Sequence, residues 1–280
     1  MKKAINAWAY PSNMSIQAIM DYTKKAGYDG IELNQLLDGP TGLHSTPQQW
    51  QEIKAYAAKI HLPIHSVASG LHWQYPITAH DPATRKKGLE VIEHQLHLAH
   101  ALGADTILVV PGAVAVPWEP DFQNVQYDIA YQRALEGLQA LAPLAEALQI
   151  TIGIENVWNQ LLLSPMEMRD FIDTINSPYV GAYFDTGNII AYGQPEDWIR
   201  ILGKRICKVH FKDYKLSNGW MNGYVGLLAG DVNWPSVMAA LREIGYDAWA
   251  TAEVYPSNHY PTQVVWDTMG VLQQICGESK

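Results

Sequence analysis

The chain has 280 residues, of which 48% are hydrophobic, with 28 Asp and Glu against 19 Lys and Arg and a formal net charge of −9. This composition can bury a large core, and two cysteines are too few for a disulfide framework, so we expect reduced thiols in a cytoplasmic protein. An acidic chain does not suit a phosphate backbone, and no apolar stretch reaches the roughly 18 residues that cross a bilayer, which argues against nucleic-acid and membrane partners.

Short β-rich runs alternate with longer helical patterns along the chain. The start is basic like that of a signal peptide, but Asn6 interrupts its apolar run at once, which indicates a first strand instead. Most of the predicted strands are continuous apolar runs, as expected for a parallel sheet with both faces buried. The eight predicted strands are residues 3–8, 30–33, 62–67, 106–110, 151–154, 180–184, 206–211 and 249–254.

Capping and turn residues mark the helices between these strands. Ser15 can cap a helix that Gly27 closes. A helix over residues 84–102 ends at Gly103, and residues 130–148 carry leucines at helical spacing. Proline in the first turn opens the other helices, at Thr46-Pro47, Ser164-Pro165, Gln194-Pro195, Trp234-Pro235 and Tyr260-Pro261.

Eight strands, each followed by a helix, predict an α/β protein built as a single (β/α)₈ TIM barrel over residues 1–280. Its active site is expected at the C-terminal ends of the strands. A doubly wound open sheet is the rival fold, but it usually carries a glycine-rich phosphate turn after the first strand, and residues 6–11 contain no glycine. No linker or low-complexity tract interrupts the alternation, which favours one domain.

Polar residues end the apolar runs of four consecutive predicted strands. Burying several carboxylates together is costly unless something offsets their charge, and a divalent cation would do so. Carboxylate oxygens with one imidazole suit Mn²⁺, Co²⁺, Mg²⁺ or Zn²⁺, and the absence of thiolates argues against a structural zinc site. We therefore expect one divalent ion. The four expected ligands are Glu155, Asp185, His210 and Glu253.

Around these residues the chain resembles the xylose-isomerase-like TIM barrels, in their sugar-phosphate isomerase and epimerase branch. The strings that carry the resemblance are Ile-Glu-Asn at 154–156, Phe-Asp-Thr-Gly-Asn at 184–188, Val-His-Phe-Lys-Asp at 209–213 and Leu-Ala-Gly-Asp-Val-Asn-Trp-Pro at 228–235. The resemblance implies a metal-dependent ketose or ketose-phosphate 3-epimerase, with Mn²⁺ as the first choice of ion. Its partner would be a small-molecule sugar or sugar phosphate, and it would assemble as a homodimer or tetramer.

The resemblance also implies separate roles for the four ligands. Glu155 and Glu253 would be both metal ligands and the acid/base pair that moves a proton through a metal-stabilised cis-enediolate. Asp185 and His210 would be ligands only. The two glutamates stand three strands apart on an eight-strand ring, so they can flank a bound substrate and produce an epimer.

Five further residues are predicted to contact the substrate, namely His65, Asn188, Lys212, Glu32 and Trp158. Lys212, which Asp213 follows as in the sugar-phosphate epimerases, or Lys215 could meet a phosphate. The chain departs from the free-sugar 3-epimerases at three positions that carry Glu, His and Arg in those enzymes. These positions are Leu161, Asn188 and Leu216.

Other activities remain open with the same four ligands. They are an aldose–ketose isomerase, an inosose-type dehydratase, an abasic-site endonuclease, or a metal-binding barrel without turnover. His65 matches an extra zinc ligand of the endonucleases, but Asn188 stands where those enzymes have a further histidine. The loop after His210 contains no Asp-x-His pair, so a trinuclear site lacks ligands. The acidic charge also argues against a nuclease.

Overall fold

The computed structural model describes residues 1–277, and eight parallel strands within that range close into one barrel. Chain order is also the order around the ring, and the last strand pairs with the first, so that Trp249 lies opposite Lys2. This confirms the predicted (β/α)₈ fold. The barrel strands are β1 (Lys2–Asn6), β2 (Gly30–Gln35), β3 (Ile64–Ser69), β4 (Thr106–Val109), β5 (Thr151–Glu155), β6 (Val180–Asp185), β7 (Ile206–Phe211) and β8 (Trp249–Ala252).

A helix of at least two turns follows each barrel strand, and the main apolar core contains side chains from both the strands and these helices. None of the helices in residues 1–277 combines the length and apolar character that crossing a membrane requires. The helices are α1 (Ile16–Lys25), α2 (Pro47–Lys59), α3 (Pro82–Leu102), α4 (Tyr127–Leu148), α5 (Pro165–Ile175), α6 (Pro195–Leu202), α7 (Trp234–Glu243) and α8 (Gln263–Cys276).

Most predicted helix boundaries lie within three residues of those in the structure. The Ser15 hydroxyl accepts the N–H of Ala18, as expected of a cap. Helix α3 begins two residues earlier than predicted because the Asp81 carboxylate caps it. The small elements were not predicted. They include a one-turn helix at Leu71–Gln74, several short 3₁₀ helices, and an antiparallel ribbon that pairs Asp213–Tyr214 with Tyr224–Val225.

Two strands extend two residues beyond their predicted ends. The apolar runs suggested ends at residues 33 and 67, whereas β2 continues to Gln35 and β3 to Ser69. Glu32 and His65 therefore lie within their strands rather than at the C-terminal edge of the barrel. This shift decides which predicted site residues can reach a substrate.

A small cluster inside the barrel supports the site from below. Ala68, Leu108 and Tyr183 pack together and are fully buried. They are separate from the main core, which lies between the strands and the surrounding helices. The Tyr183 hydroxyl on β6 donates to Glu32 on β2, on the opposite side of the ring. A contact across the ring places this cluster in the barrel interior.

Candidate metal centre

Four side chains from neighbouring strands converge at the C-terminal end of the barrel. Glu155 and Asp185 are the last residues of β5 and β6, His210 lies near the end of β7, and Glu253 follows β8 directly. One donor atom from each lies within 4.8 Å of the donors of the other three. The Nδ1 atom of His210 is 3.0 Å from Glu253 Oε2, 3.6 Å from Glu155 Oε1 and 4.0 Å from Asp185 Oδ2.

This cluster has the properties expected of a cation site. Among the described residues, its buried atoms Asp185 Oδ2, His210 Nδ1 and Glu253 Oε2 have no hydrogen-bonding partner with acceptable geometry. Buried polar atoms in proteins almost always have such a partner, so unpartnered atoms that face one another call for a ligand. Three carboxylates and one imidazole suit a divalent metal such as Mn²⁺, Co²⁺, Mg²⁺ or Zn²⁺. The four side chains therefore fit the predicted metal.

The pKa shifts of the four side chains also fit a cation site. Burial raises the pKa of Glu155 and of Asp185, and the nearby charge of Glu253 adds to both increases. Burial opposes the ionised form of Glu253, but Lys212 and His210 together outweigh burial and lower the pKa of that carboxyl. Burial also opposes the charged form of His210, yet the surrounding carboxylates raise its pKa well above the ordinary value. Without a cation, the carboxylates therefore compete for protons.

Glu32 lies beneath this cluster and has no exposed surface. Its Oε1 atom accepts hydrogen bonds from His210 Nε2 and Asn6 Nδ2, both at 2.6 Å. Its Oε2 atom accepts from the hydroxyls of Ser66 and Tyr183, both at 2.5 Å. Burial would raise the pKa of Glu32, but His210 lowers it to about 2, so the carboxylate is ionised.

The predicted substrate contact of Glu32 is therefore corrected, because its protein partners occupy both oxygens. An ionised Glu32 can only accept, so His210 donates through Nε2, and Nδ1 is the nitrogen whose lone pair would bind a cation once its proton is released. That nitrogen is the one that faces Glu155, Asp185 and Glu253. A carboxylate behind a metal-binding histidine fixes its tautomer and its ring orientation in the same way.

Glu32→Gln is expected to weaken metal binding by about 10- to 100-fold, because the substitution removes the charge that orients His210. Titration of Mn²⁺ against a fluorescent chelator would measure the change in affinity. Glu136→Gln, on the exposed face of α4, is the matched control. Equal affinities for the Glu32→Gln variant and the unchanged protein would show that Glu32 does not orient the ligand.

His65 is a second correction, since it lies near the start of β3, away from the opening. It is buried, with Nδ1 at 3.1 Å from the Ser66 hydroxyl and Nε2 at 3.2 Å from the Thr251 hydroxyl. Its ring stacks on Trp249 with the centroids 4.4 Å apart. Burial lowers the pKa of His65 to about 3, which keeps the imidazole neutral. His65 is thus a hydrogen-bonded core residue rather than a substrate contact.

A cavity of about 300 Å³ opens above the metal cluster. Glu155 and Glu253 line the cavity. Asp185 and His210 lie below it and do not belong to the wall that residues 1–277 form. Pockets of this kind combine an apolar wall with a few polar groups that orient the ligand. The aromatic side chains of the wall are Trp8, Trp73, Trp118, Trp158, Tyr224 and Tyr255.

The other three predicted substrate residues line this cavity. Trp158 donates its indole N–H to the backbone oxygen of Asn188, and the Asn188 side chain accepts from the Tyr224 hydroxyl, both at 2.8 Å. Lys212 donates to Glu253 Oε1 at 2.8 Å, and its Nζ lies 4.3 Å from the centre of the Tyr224 ring. These residues stay predicted substrate contacts, and they also order one another.

The sequence prediction missed two residues that hold predicted ligands in place. The Asn156 side chain bonds to both the backbone N–H and the backbone oxygen of Asp185, at 2.9 and 2.8 Å. The Tyr255 hydroxyl donates to Glu253 Oε1 at 2.7 Å. Each lies within two residues of a predicted glutamate ligand, and that proximity was the available signal.

Asp213 fixes the long loop after β7. Its buried carboxylate accepts the backbone N–H groups of Leu228, Gly230 and Val232 and the indole N–H of Trp234, at 2.9 to 3.2 Å. Both ends of the intervening loop are therefore tied to one side chain. The loop contributes part of the aromatic wall of the cavity.

A closed barrel with a cluster of carboxylates and one histidine at its mouth defines a class of TIM barrels with a candidate metal centre. Within this class, the chain belongs to the xylose isomerase-like TIM barrel family, whose family model matches residues 20–274. The family prediction from the sequence is thus confirmed.

Similar proteins include two curated relatives and one solved structure. The uncharacterized protein MJ1311 of Methanocaldococcus jannaschii is 27% identical over 175 residues, which are 60% of this chain and 57% of that protein. L-ribulose-5-phosphate 3-epimerase UlaE of Salmonella paratyphi C is 25% identical over 237 residues, 80% of this chain and 76% of the relative. A crystal structure of D-psicose 3-epimerase in the presence of D-fructose shares the fold, with a TM-score of 0.82, 19% identity and coverage of 99% and 100%.

Proposed function

We propose that this protein is a divalent-metal-dependent sugar epimerase that inverts the carbon beside a ketose carbonyl, as in the 3-epimerases. The observation that supports this proposal is that only two of the four predicted metal ligands face the cavity. Glu155 and Glu253 face the cavity, whereas Asp185 and His210 lie below it. The two glutamates come from strands three places apart on the ring, so a sugar between them meets a carboxylate on each side.

Each part of the site has a role in this reaction. Glu155, Asp185, His210 and Glu253 would hold the ion, with Mn²⁺ the first choice, and the chemistry that it supplies is polarisation of the carbonyl and stabilisation of developing negative charge. One glutamate takes the proton from the carbon, and the other returns a proton to its opposite face. Lys212 and Tyr255 both donate to Glu253 Oε1 and fix its orientation.

The names of the relatives support a ketose as the substrate. One is named for L-ribulose 5-phosphate and another for D-psicose, and both are 3-epimerases by name. An aldose–ketose isomerase or an inosose-type dehydratase would also begin by removing a proton beside a carbonyl. Assembly as a dimer or tetramer and a cytoplasmic location stay predictions from the sequence.

Solvent exchange separates these reactions. After incubation of the Mn²⁺-loaded protein with D-fructose in D₂O, NMR is expected to show deuterium at C3 and the appearance of the C3 epimer. An isomerase would instead incorporate deuterium at C1 and release an aldose, and a dehydratase would eliminate water. Protein stripped of metal is the control. Absence of both exchange and product would contradict the proposed epimerase.

A further inference from the structure

A second cavity adjoins the proposed active site. It encloses about 350 Å³ and shares Val157 and Trp158 with the first cavity as wall. Trp220 lines the second cavity, and the next residue, Met221, lines the first. The two cavities therefore lie side by side, with the Trp158 indole between them.

The second cavity has an apolar wall. It is formed largely by the rings of Trp158, Tyr192, Tyr214 and Trp220, and no charged side chain of residues 1–277 lines it. Tyr192 and Trp220 are 46% and 54% exposed. Contiguous exposed apolar surface on a soluble protein commonly marks a binding site. A wall with few polar groups fits an apolar ligand better than a second sugar, whose hydroxyls need hydrogen-bonding partners.

Contacts among the wall residues hold their positions. The Trp158 ring is fixed by its hydrogen bond to Asn188 and lies 5.3 Å from Tyr214 and 5.7 Å from Trp220, measured between centroids. The Tyr214 hydroxyl donates to the backbone oxygen of Trp220 at 2.9 Å. A wall that is ordered before binding loses little conformational entropy when a ligand enters.

Charge in the first cavity disfavours a phosphate. Within the described chain, Lys212 is the one basic side chain of its wall, and it already donates to Glu253. Lys215 pairs with Asp231 instead, and both lie outside this wall. A phosphate dianion is normally bound by several charge-assisted donors, and here it would also face the carboxylates of the cavity.

We propose that the substrate is an unphosphorylated sugar that carries an apolar aromatic substituent. This inference rests on the proposed function for the first cavity. The carbonyl end of the sugar lies over Glu155 and Glu253, and the substituent passes Trp158 into the second cavity. Each cavity alone is near the lower end of the roughly 300–1,000 Å³ of common ligand sites, and together they hold a two-part ligand. Lys212 then orients Glu253 rather than binding phosphate.

Binding of three ketoses to the Mn²⁺-loaded protein tests this proposal by calorimetry. The probes are D-fructose, D-fructose 6-phosphate and 6-O-benzyl-D-fructose. We expect a Kd for the benzyl ether at least about tenfold below that for D-fructose, because an aromatic ring leaves water, and a higher Kd for the phosphate. Equal affinity for the benzyl ether and D-fructose, no binding of the benzyl ether, or tighter binding of the phosphate would overturn it.

Two tryptophan variants test whether the benzyl group binds in the second cavity. Trp220→Ala is expected to bring the ratio of the two Kd values, D-fructose to benzyl ether, close to one. Trp266→Ala removes another exposed tryptophan, on α8, that lines neither of these two cavities, and it should keep the ratio. A ratio that survives Trp220→Ala would refute the placement of the substituent. Deuterium exchange tests the proposed epimerase separately, because the calorimetric ratio does not depend on turnover.

Discussion

Glu253→Gln is expected to lower kcat on a ketose substrate by about 10²- to 10⁴-fold, the usual contribution of a positioned acid or base. Glutamine keeps the size of the side chain and one oxygen that can face the metal cluster, but it cannot take up or release the proton. Epimer formation followed by NMR at saturating Mn²⁺ would measure the loss. Glu136→Gln, exposed on α4, is the control for the same chemical change.

The same variant distinguishes a pair of glutamates from a single catalytic base. If each glutamate serves one face of the carbon, either Glu155→Gln or Glu253→Gln should stop inversion. The remaining glutamate can still exchange the proton on its own face, so slow deuterium incorporation without epimer is the expected pattern in at least one variant. Turnover of Glu253→Gln within a few-fold of the unchanged protein would rule out the two-glutamate mechanism.

Removal of divalent metal is expected to abolish epimerisation and to lower the melting temperature. The cluster holds three carboxylates and unpartnered buried atoms, so an ion that binds only the folded protein stabilises it. At a free metal concentration of 100 times Kd, the gain is about 2.7 kcal/mol. For a chain of this size that corresponds to roughly 5–10 °C in Tm. Scanning calorimetry after EDTA treatment and again after addition of Mn²⁺ or Co²⁺ would measure it.

Two matched aspartate variants test whether the metal-dependent rise in Tm comes from the predicted metal site. Asp185→Asn removes one predicted ligand charge and should lose most of the metal-dependent rise in Tm. Asp231→Asn changes an exposed aspartate that pairs with Lys215 and should retain it. Full epimerase activity after exhaustive chelation would be incompatible with a metal-dependent reaction.

The barrel and its metal cluster could be predicted because both follow from local sequence patterns. Each ligand ends a buried apolar run, and in a barrel whose ring order is the chain order, consecutive strands are neighbours. Glu155, Asp185, His210 and Glu253 therefore had to meet once the fold was recognised. The pattern says nothing about which metal or which sugar such a site would bind.

The positions of Glu32 and His65 could not be predicted, because the hydrophobic pattern ends before the strands do. Strand β2 finishes with Asn34 and Gln35, and β3 finishes with Ala68 and Ser69. These residues are polar or small, yet pairing with the next strand keeps them in the sheet. The predicted ends therefore fell two residues short in both strands.

Most of the cavity wall could not be predicted from the sequence, although Trp158 was. Its other aromatic residues come from segments after several different strands, including Trp73 and Tyr224. Each loop alone contains an ordinary aromatic residue with no pattern to mark it. Closure of the barrel brings the loops together, so their shared role is a property of the tertiary structure.

Asp213 allows the sequence of the loop after β7 to change independently of the barrel. Because one carboxylate clamps the chain on both sides of residues 215–227, the sequence in between can vary in length and side chains without pulling on β7, which carries His210. Diversification of this family, in nature or in a directed library, can therefore reshape the cavity wall while the chemistry at the strand ends is conserved. The clamp itself is the position that such a library should leave unchanged.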